Sequence, residues 1–313
     1  MALDTPAVLF LCAAKSSGVD FTRTLLVGRQ AFRPSEAALR RVFSVLGIEQ
    51  EAQSFLRQNR FSEPFFSLLG AQEISSLDCS SYESADIIHD LNCPISDELY
   101  ARFSLVYDGG TLEHVFNIQQ ALKNAMEMVQ LGGYFVQANV ANNFMGHGFW
   151  QFSPETIFRA FSQANGYRVE AVLLHEVTAN GAWYLVSDPE EMQARVELCN
   201  SVPTYIMTIA KRVALTEIFA QPPQQSDYAA IWHRFSQGQE PQLPARRKPP
   251  SKKWHRRLLR PIERSLKSWV RGATSQSNGA FKKPCYRVID EDALLRGELA
   301  SGAAEFDAMA IAK

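Results

Sequence analysis

Three aspartates stand at the ends of short apolar runs: Asp78 after Ile74-Ser75-Ser76-Leu77, Asp90 after Ile87-Ile88-His89, and Asp108 after Phe103 through Tyr107. A carboxylate can accept both hydrogen bonds of a ribose diol, the role open to Asp78, and a neighbouring acid can accept from an adenine amino group, the role open to Asp90. A lone acid in such a place is more often a turn or cap residue. Three at successive strand ends point instead to one binding edge. His147 and His114 are the candidates for moving a proton near neutral pH. His147 sits in Asn142-Asn143-Phe144-Met145-Gly146-His147-Gly148-Phe149-Trp150-Gln151-Phe152. There Asn142, Asn143, Trp150 and Gln151 offer amides and an aromatic face to a sugar or another polar ring. The same loop also reads as a structural one, with His147 satisfied by backbone and the aromatics in the core. His114 follows Glu113 at a helix start, as a base or as a mere neighbour. His89 precedes Asp90 on a strand and so should face the opposite side. The histidines are scattered without ligand spacing, which predicts no metal site. Neither a G-x-S-x-G nor a Walker pattern occurs.

Seven strands are predicted to carry these residues: Thr24–Gly28, Ile74–Asp78, Asp86–Asp90, Phe103–Asp108, Tyr134–Ala138, Val169–Leu174 and Thr204–Ala210. Helical signals alternate with them. Ser35 is a suitable N-cap for a helix from Glu36 to about Leu46, which Gly47 stops. Phe65, Phe66, Leu68 and Leu69 give a helix ending near Gly70. Apolar residues from Leu112 to Val129 fall near helical spacing, with Asn117 as a cap and Gly132-Gly133 beyond. Ser153 caps another helix that has Pro154 at its first position. This alternation predicts an α/β fold: a Rossmann-like, doubly wound, mostly parallel seven-stranded sheet with helices on both faces, plus a basic C-terminal extension.

Several stretches resemble class I S-adenosylmethionine-dependent methyltransferases. Leu77-Asp78-Cys79-Ser80-Ser81-Tyr82-Glu83-Ser84-Ala85 is similar to the second-strand segment of one subgroup, and His89-Asp90-Leu91-Asn92 to its third. Asp108-Gly109-Gly110-Thr111-Leu112-Glu113-His114-Val115 resembles the passage from the fourth strand into the next helix. Val129-Gln130-Leu131-Gly132-Gly133-Tyr134-Phe135 resembles the family's step into the fifth strand. The resemblance implies S-adenosylmethionine as cofactor, held by Gly28, Arg29, Asp78, Asp90 and Asp108, with Asp108 closing the strand that fronts the reacting methyl group. The first loop departs from the family: Val27-Gly28-Arg29-Gln30-Ala31-Phe32 holds one glycine and no acid. Arg29 could compensate by gripping the cofactor's carboxylate in a fork, or could be a structural salt bridge. Relatives in bacterial surface-polysaccharide biosynthesis imply a sugar or glycan hydroxyl as acceptor, by association. A methyltransferase-fold scaffold without catalysis is the alternative. A nicotinamide enzyme lacks support, because no G-x-G-x-x-G follows the first strand.

The 313 residues are 46% hydrophobic and 21% charged, an ordinary globular composition. Residues 1–213 carry 15 Lys/Arg against 23 Asp/Glu, whereas residues 214–313 carry 17 against 10. The expected organisation is an N-terminal segment over 1–23, a methyltransferase-like domain over 24–213, a linker over 214–250 and a basic amphipathic extension over 251–313. Within 246–271 eleven Lys/Arg surround Trp254 and Trp269 with Glu263 the one acid, which fits an anionic membrane surface, or packing on the domain. Nucleic acid is the less favoured partner. Five cysteines without C-x-x-C spacing fit a reducing compartment, and the apolar run Ala7 to Ala14 lacks the basic flank of a signal peptide. Both predict a cytoplasmic protein, peripheral to the inner face of the membrane if the tail binds there.

Overall fold

The computed structural model describes residues 2–178, 180–192, 195–237 and 285–299. In chain order the elements are β1 (Ala2–Leu3), α1 (Thr5–Ser16), β2 (Arg23–Val27), β3 (Ala31–Phe32), α2 (Glu36–Leu46), α3 (Ala52–Gln58), α4 (Glu63–Leu68), β4 (Glu73–Asp78) and β5 (Ile87–Ile88). There follow β6 (Phe103–Asp108), α5 (Ile118–Met128), β7 (Val129–Asn142), α6 (Pro154–Ala160), β8 (Tyr167–Glu176), β9 (Trp183–Val186) and α7 (Pro189–Met192). The last are β10 (Thr204–Arg212), α8 (Ser226–Ser236), β11 (Tyr286–Ile289) and a helix at Glu291–Leu295, here α9.

The predicted seven-stranded, mostly parallel sheet is corrected to a mixed sheet of nine strands, in the order β11-β9-β8-β10-β7-β6-β2-β4-β5. Five strands, β5-β4-β2-β6-β7, are parallel and keep the Rossmann arrangement, in which the order reverses beside β2. Beyond them β10 runs antiparallel to both β7 and β8. Trp183–Val186 and Tyr286–Ile289 add two antiparallel strands at that edge. Both are four residues long and distant in sequence, so only tertiary pairing reveals them. Because β11 and α9 rejoin the main body, residues 285–299 do not belong to a separate extension. The basic segment 246–271 lies outside the described residues.

Alternation along each strand divides the core into two layers. Leu26, Leu105, Tyr107 and Val136 pack with α1, α2 and α4 on one face. Leu25, Val27, Val106 and Phe135 pack with α5 and α6 on the other. The N-terminal run becomes α1, and every residue from Ala7 to Ala14 is buried, because α2 and α9 flank it. A helix enclosed in this way is apolar all round. It belongs to the main domain rather than to a separate N-terminal segment. The predicted caps form: Ser35 and Ser153 accept from Ala38 N and Thr156 N, and Gly47 closes α2 at φ +66°. Asn117 caps α5, although Leu112–His114 forms a separate 3-10 turn before it. Buried Arg212 donates to the carbonyls of Glu127 and Val129 at 2.9 and 2.6 Å, fixing the turn from α5 into β7.

Candidate functional site

Parallel register brings Val27, Leu77 and Asp108 to one level, so Gly28, Asp78 and Gly109 share the carboxyl edge where the strand order reverses. Such an edge is where open α/β sheets bind ligands. Its two sides are built differently.

On the β2 side the polar groups turn inward. Arg29 Nε donates to Glu63 Oε1 at 2.7 Å and Nη1 donates to the Glu83 carbonyl at 2.7 Å. Its guanidinium also lies 4.0 Å from the centre of the Phe61 ring. Arg29 therefore stands as the structural salt bridge of the two roles open to it, held by Glu63, the Glu83 carbonyl and the Phe61 ring. Gln30 is buried, with Nε2 donating to the Val27 and Gly28 carbonyls at 3.3 and 3.2 Å. A Cβ on Gly109 would stand 2.7 Å from Gln30 Oε1, so the Gln30 amide fills the space over that turn. Asp108 is fully buried; Oδ1 accepts from Thr111 N at 2.8 Å and Oδ2 from Asn139 Nδ2 at 2.7 Å. It holds the 109–112 turn, and burial pushes its carboxyl above the usual range. Its expected cofactor contact would need a solvent-facing oxygen, which this burial denies. Asp90 is exposed and closes a turn by accepting from Asn92 N at 2.9 Å, which lowers its pKa. Asp78 is half-buried, with one long contact from Ser80 N at 3.4 Å.

The residues on this edge fit adenosylmethionine at one point. The Asp78 carboxylate keeps lone pairs for a ribose diol. Gln30 Oε1 has no hydrogen-bond partner, but it is fully buried against the Gly109 turn and, like Asp108, faces no ligand.

On the β6 side the loop after β7 folds back over the Leu112–His114 turn. Phe149 N and Trp150 N both donate to the Glu113 carbonyl, at 2.8 and 3.2 Å. Gly148 makes this approach possible: a Cβ there would lie 2.7 Å from that same oxygen. The fold-back carries His147 Nε2 to 3.4 Å and His114 Nε2 to 3.9 Å from Glu113 Oε1. The two imidazole centres are 5.1 Å apart. Glu113 is fully buried, and neither carboxylate oxygen has a hydrogen-bond partner. Burial first, and then the charge of Asp108, raises its pKa. Burial, followed by the charge of His147, lowers that of His114. The expectation of scattered histidines is thus corrected. Thirty-odd residues of chain separate His114 from His147, and the reversal after β7 removes that distance.

The amides of the loop serve the loop itself. Asn142 and Asn143 donate to Asn200 Oδ1 at 3.0 and 2.8 Å, and Gln151 Oε1 accepts from Phe144 N at 3.0 Å. Trp150 Nε1 donates to the Val115 carbonyl. Its ring, with Phe116, Met145 and Phe149, is exposed as an aromatic rim beside the two histidines. Behind His147, Phe144 stacks on Tyr205, whose hydroxyl donates to Asp4 Oδ2 at 3.1 Å.

Sequence reasoning missed Glu113, although its place between Leu112 and Val115 was a sign of burial. Asp4 and Tyr205 carried no sign at all, since 201 positions separate them.

No protein-family model matches the chain, and no curated protein is similar to it in sequence. Among solved structures it is similar to a proposed methyltransferase of Bacillus halodurans (9% identity, TM-score 0.37), over 66% of this chain and 99% of that one. A SAM-dependent methyltransferase of Thermotoga maritima is similar at 16% identity and TM-score 0.30, over 66% and 89%. A branched-chain polyamine synthase of Thermus thermophilus is similar at 11% identity and TM-score 0.34, over 71% and 60%. Likeness at this level does not bear on activity, and the Rossmann-like description rests on the strand order above.

Proposed function

We propose that this chain transfers the methyl group of S-adenosylmethionine to an oxygen of a small polar acceptor, a sugar or glycan hydroxyl. The observation that carries the reading is the Glu113, His114 and His147 cluster, which stands at the ligand-binding edge beside the order reversal. Adenosylmethionine supplies an electrophilic methyl on its sulfonium. In this reading Asp78 holds the ribose diol. His147 takes the acceptor's proton as its oxygen attacks, and Glu113 steadies the imidazole from below. The rim of Phe116, Phe149 and Trp150 stacks on the acceptor ring and keeps water from its hydroxyl.

Isothermal titration of adenosylmethionine into the full chain tests the cofactor. Mass spectrometry of nucleotide-sugar mixtures, seeking the gain of one methyl, tests the acceptor. Undetectable binding at millimolar cofactor removes the proposal. A catalytically silent scaffold is then the reading left, favoured by Gln30 filling the first crevice and Arg29 being tied to Glu63.

For residues 246–271 the proposed partner is an anionic membrane surface, with a cytoplasmic protein held at its inner face. Co-sedimentation with anionic but not neutral vesicles is the expected result. No helix among the described residues is long and apolar enough to cross a membrane.

A further inference from the structure

We infer that Glu113, His114 and His147 form a binding site for one divalent first-row transition ion, in the class of zinc, cobalt or iron(II). The inference goes beyond the proposed methyl transfer and stands without it. One ligand atom from each residue lies within 4.8 Å of the others. The His147–Glu113 separation of 3.4 Å matches the edge of a tetrahedron with bonds of about 2.1 Å, and His114 at 3.9 Å would have to close in for an ion to be bound by all three.

The independent observation is Glu113 itself. It is fully buried, and among the described residues both its oxygens lack a hydrogen-bond partner and its ion-pair partners are these same two rings. A buried carboxylate without donors is costly unless a proton or a cation joins it. Asp108, buried on the same turn and already given to Thr111 and Asn139, is a second carboxyl close to it, and burial favours the protonated form of both unless a cation is present. A dication offsets both.

The donor set selects the ion. Two imidazoles and one carboxylate suit transition ions, whereas magnesium and calcium prefer shells made of oxygen. Three protein ligands also leave coordination positions open, the pattern of catalytic rather than structural sites. Both rings are 41% exposed, so the open side faces solvent and the aromatic rim. The site is preorganised, because Phe149 N and Trp150 N fix the Glu113 backbone and Gly148 admits the close approach. An ion held there would act as a Lewis acid on an acceptor hydroxyl and would take the place of His147 as the group that lowers the hydroxyl's pKa, since His147 Nε2 would be its ligand.

Metal-stripped full-length protein is titrated with zinc chloride by calorimetry, and with cobalt chloride by visible absorption. The expected result is one equivalent bound at micromolar affinity or tighter, with d–d bands for cobalt. Glu113→Gln and His147→Ala should each weaken zinc binding by at least about 100-fold. Should Glu113→Gln fail to fold, His114→Ala and His147→Ala carry the test, since both rings are half-exposed and far from the core. No saturable binding at millimolar zinc overturns the inference, as does one-equivalent binding that His147→Ala leaves unchanged. Titrating adenosylmethionine into the stripped protein separates the two readings. Loss of cofactor binding there leaves the metal result intact, and the converse holds.

Discussion

The two sides of the carboxyl edge solve the same problem in opposite ways. At the end of β2, long polar side chains are folded onto their own surroundings: Arg29 on Glu63 and Glu83, Gln30 on the Val27 and Gly28 carbonyls. Within that fold one neutral amide oxygen, Gln30 Oε1, is buried without a partner. At the end of β6, a carboxylate is buried with both oxygens unpartnered and two imidazoles leaning toward it. An unsatisfied amide oxygen costs about 1–3 kcal/mol, whereas an unpaired buried charge costs several. A fold keeps the second kind of group only where something compensates it. On the proposed reading, the chemistry would lie beside β6.

The sharpest test of that asymmetry is His147→Ala. Turnover should fall by about 10²–10⁴-fold while adenosylmethionine affinity stays unchanged, because the ring belongs to the β6 side alone. Paired measurements of kcat and cofactor Kd decide it. Lost affinity with retained turnover would reverse the assignment.

A buried histidine away from both sides supplies the control. Burial pushes His175 down to about 4, against a backbone hydrogen bond with Ala182 that favours the charged form. Its folded pKa lies below the unfolded value of about 6.5, so the neutral form is the stabilised one. Stability is full above pH 6.5 and declines as pH falls toward 4, by about 3 kcal/mol in all. The difference between the urea midpoints of the parent and of His175→Gln, followed across that window, should show the slope.

Gly148→Ala should destabilise by about 2 kcal/mol, because its methyl would meet the Glu113 carbonyl 2.7 Å away. It should also depress turnover by moving His147. Thermal melting together with steady-state rates checks both effects. A variant that melts like the parent would mean that the fold-back tolerates a wider loop.

The smallest effects belong to the β4 and β5 ends. Asp78→Ala should weaken adenosylmethionine at least about tenfold, since hydrogen bonds to a charged acceptor contribute about 1.5–3 kcal/mol each. Asp90→Ala should cost less, because that carboxylate is exposed and already occupied by Asn92. Titration calorimetry on the two variants ranks them. Equal affinities would place the nucleoside on other strands.

Local rules carried much of the architecture. Apolar runs marked the five parallel strands and both β8 and β10, four of them closed by Gly or Asp, while Ser35, Ser153, Asn117 and Gly47 marked helix ends whose caps depend on neighbours three or four residues away. The same rules pointed to the 142–152 loop and to His114 and His147 individually. They failed for β9 and β11, four-residue strands whose only signature is each other. They also could not say that Arg29 would be spent on Glu63, or that Gln30 would fill the first crevice, because each outcome depends on residues brought in from another element. The Glu113 cluster shows the division most clearly. Which residues could carry a charge was written in the chain. That one carboxylate would be stripped of water and left between two imidazoles was decided by the fold-back after β7, since desolvation depends on what packs in three dimensions.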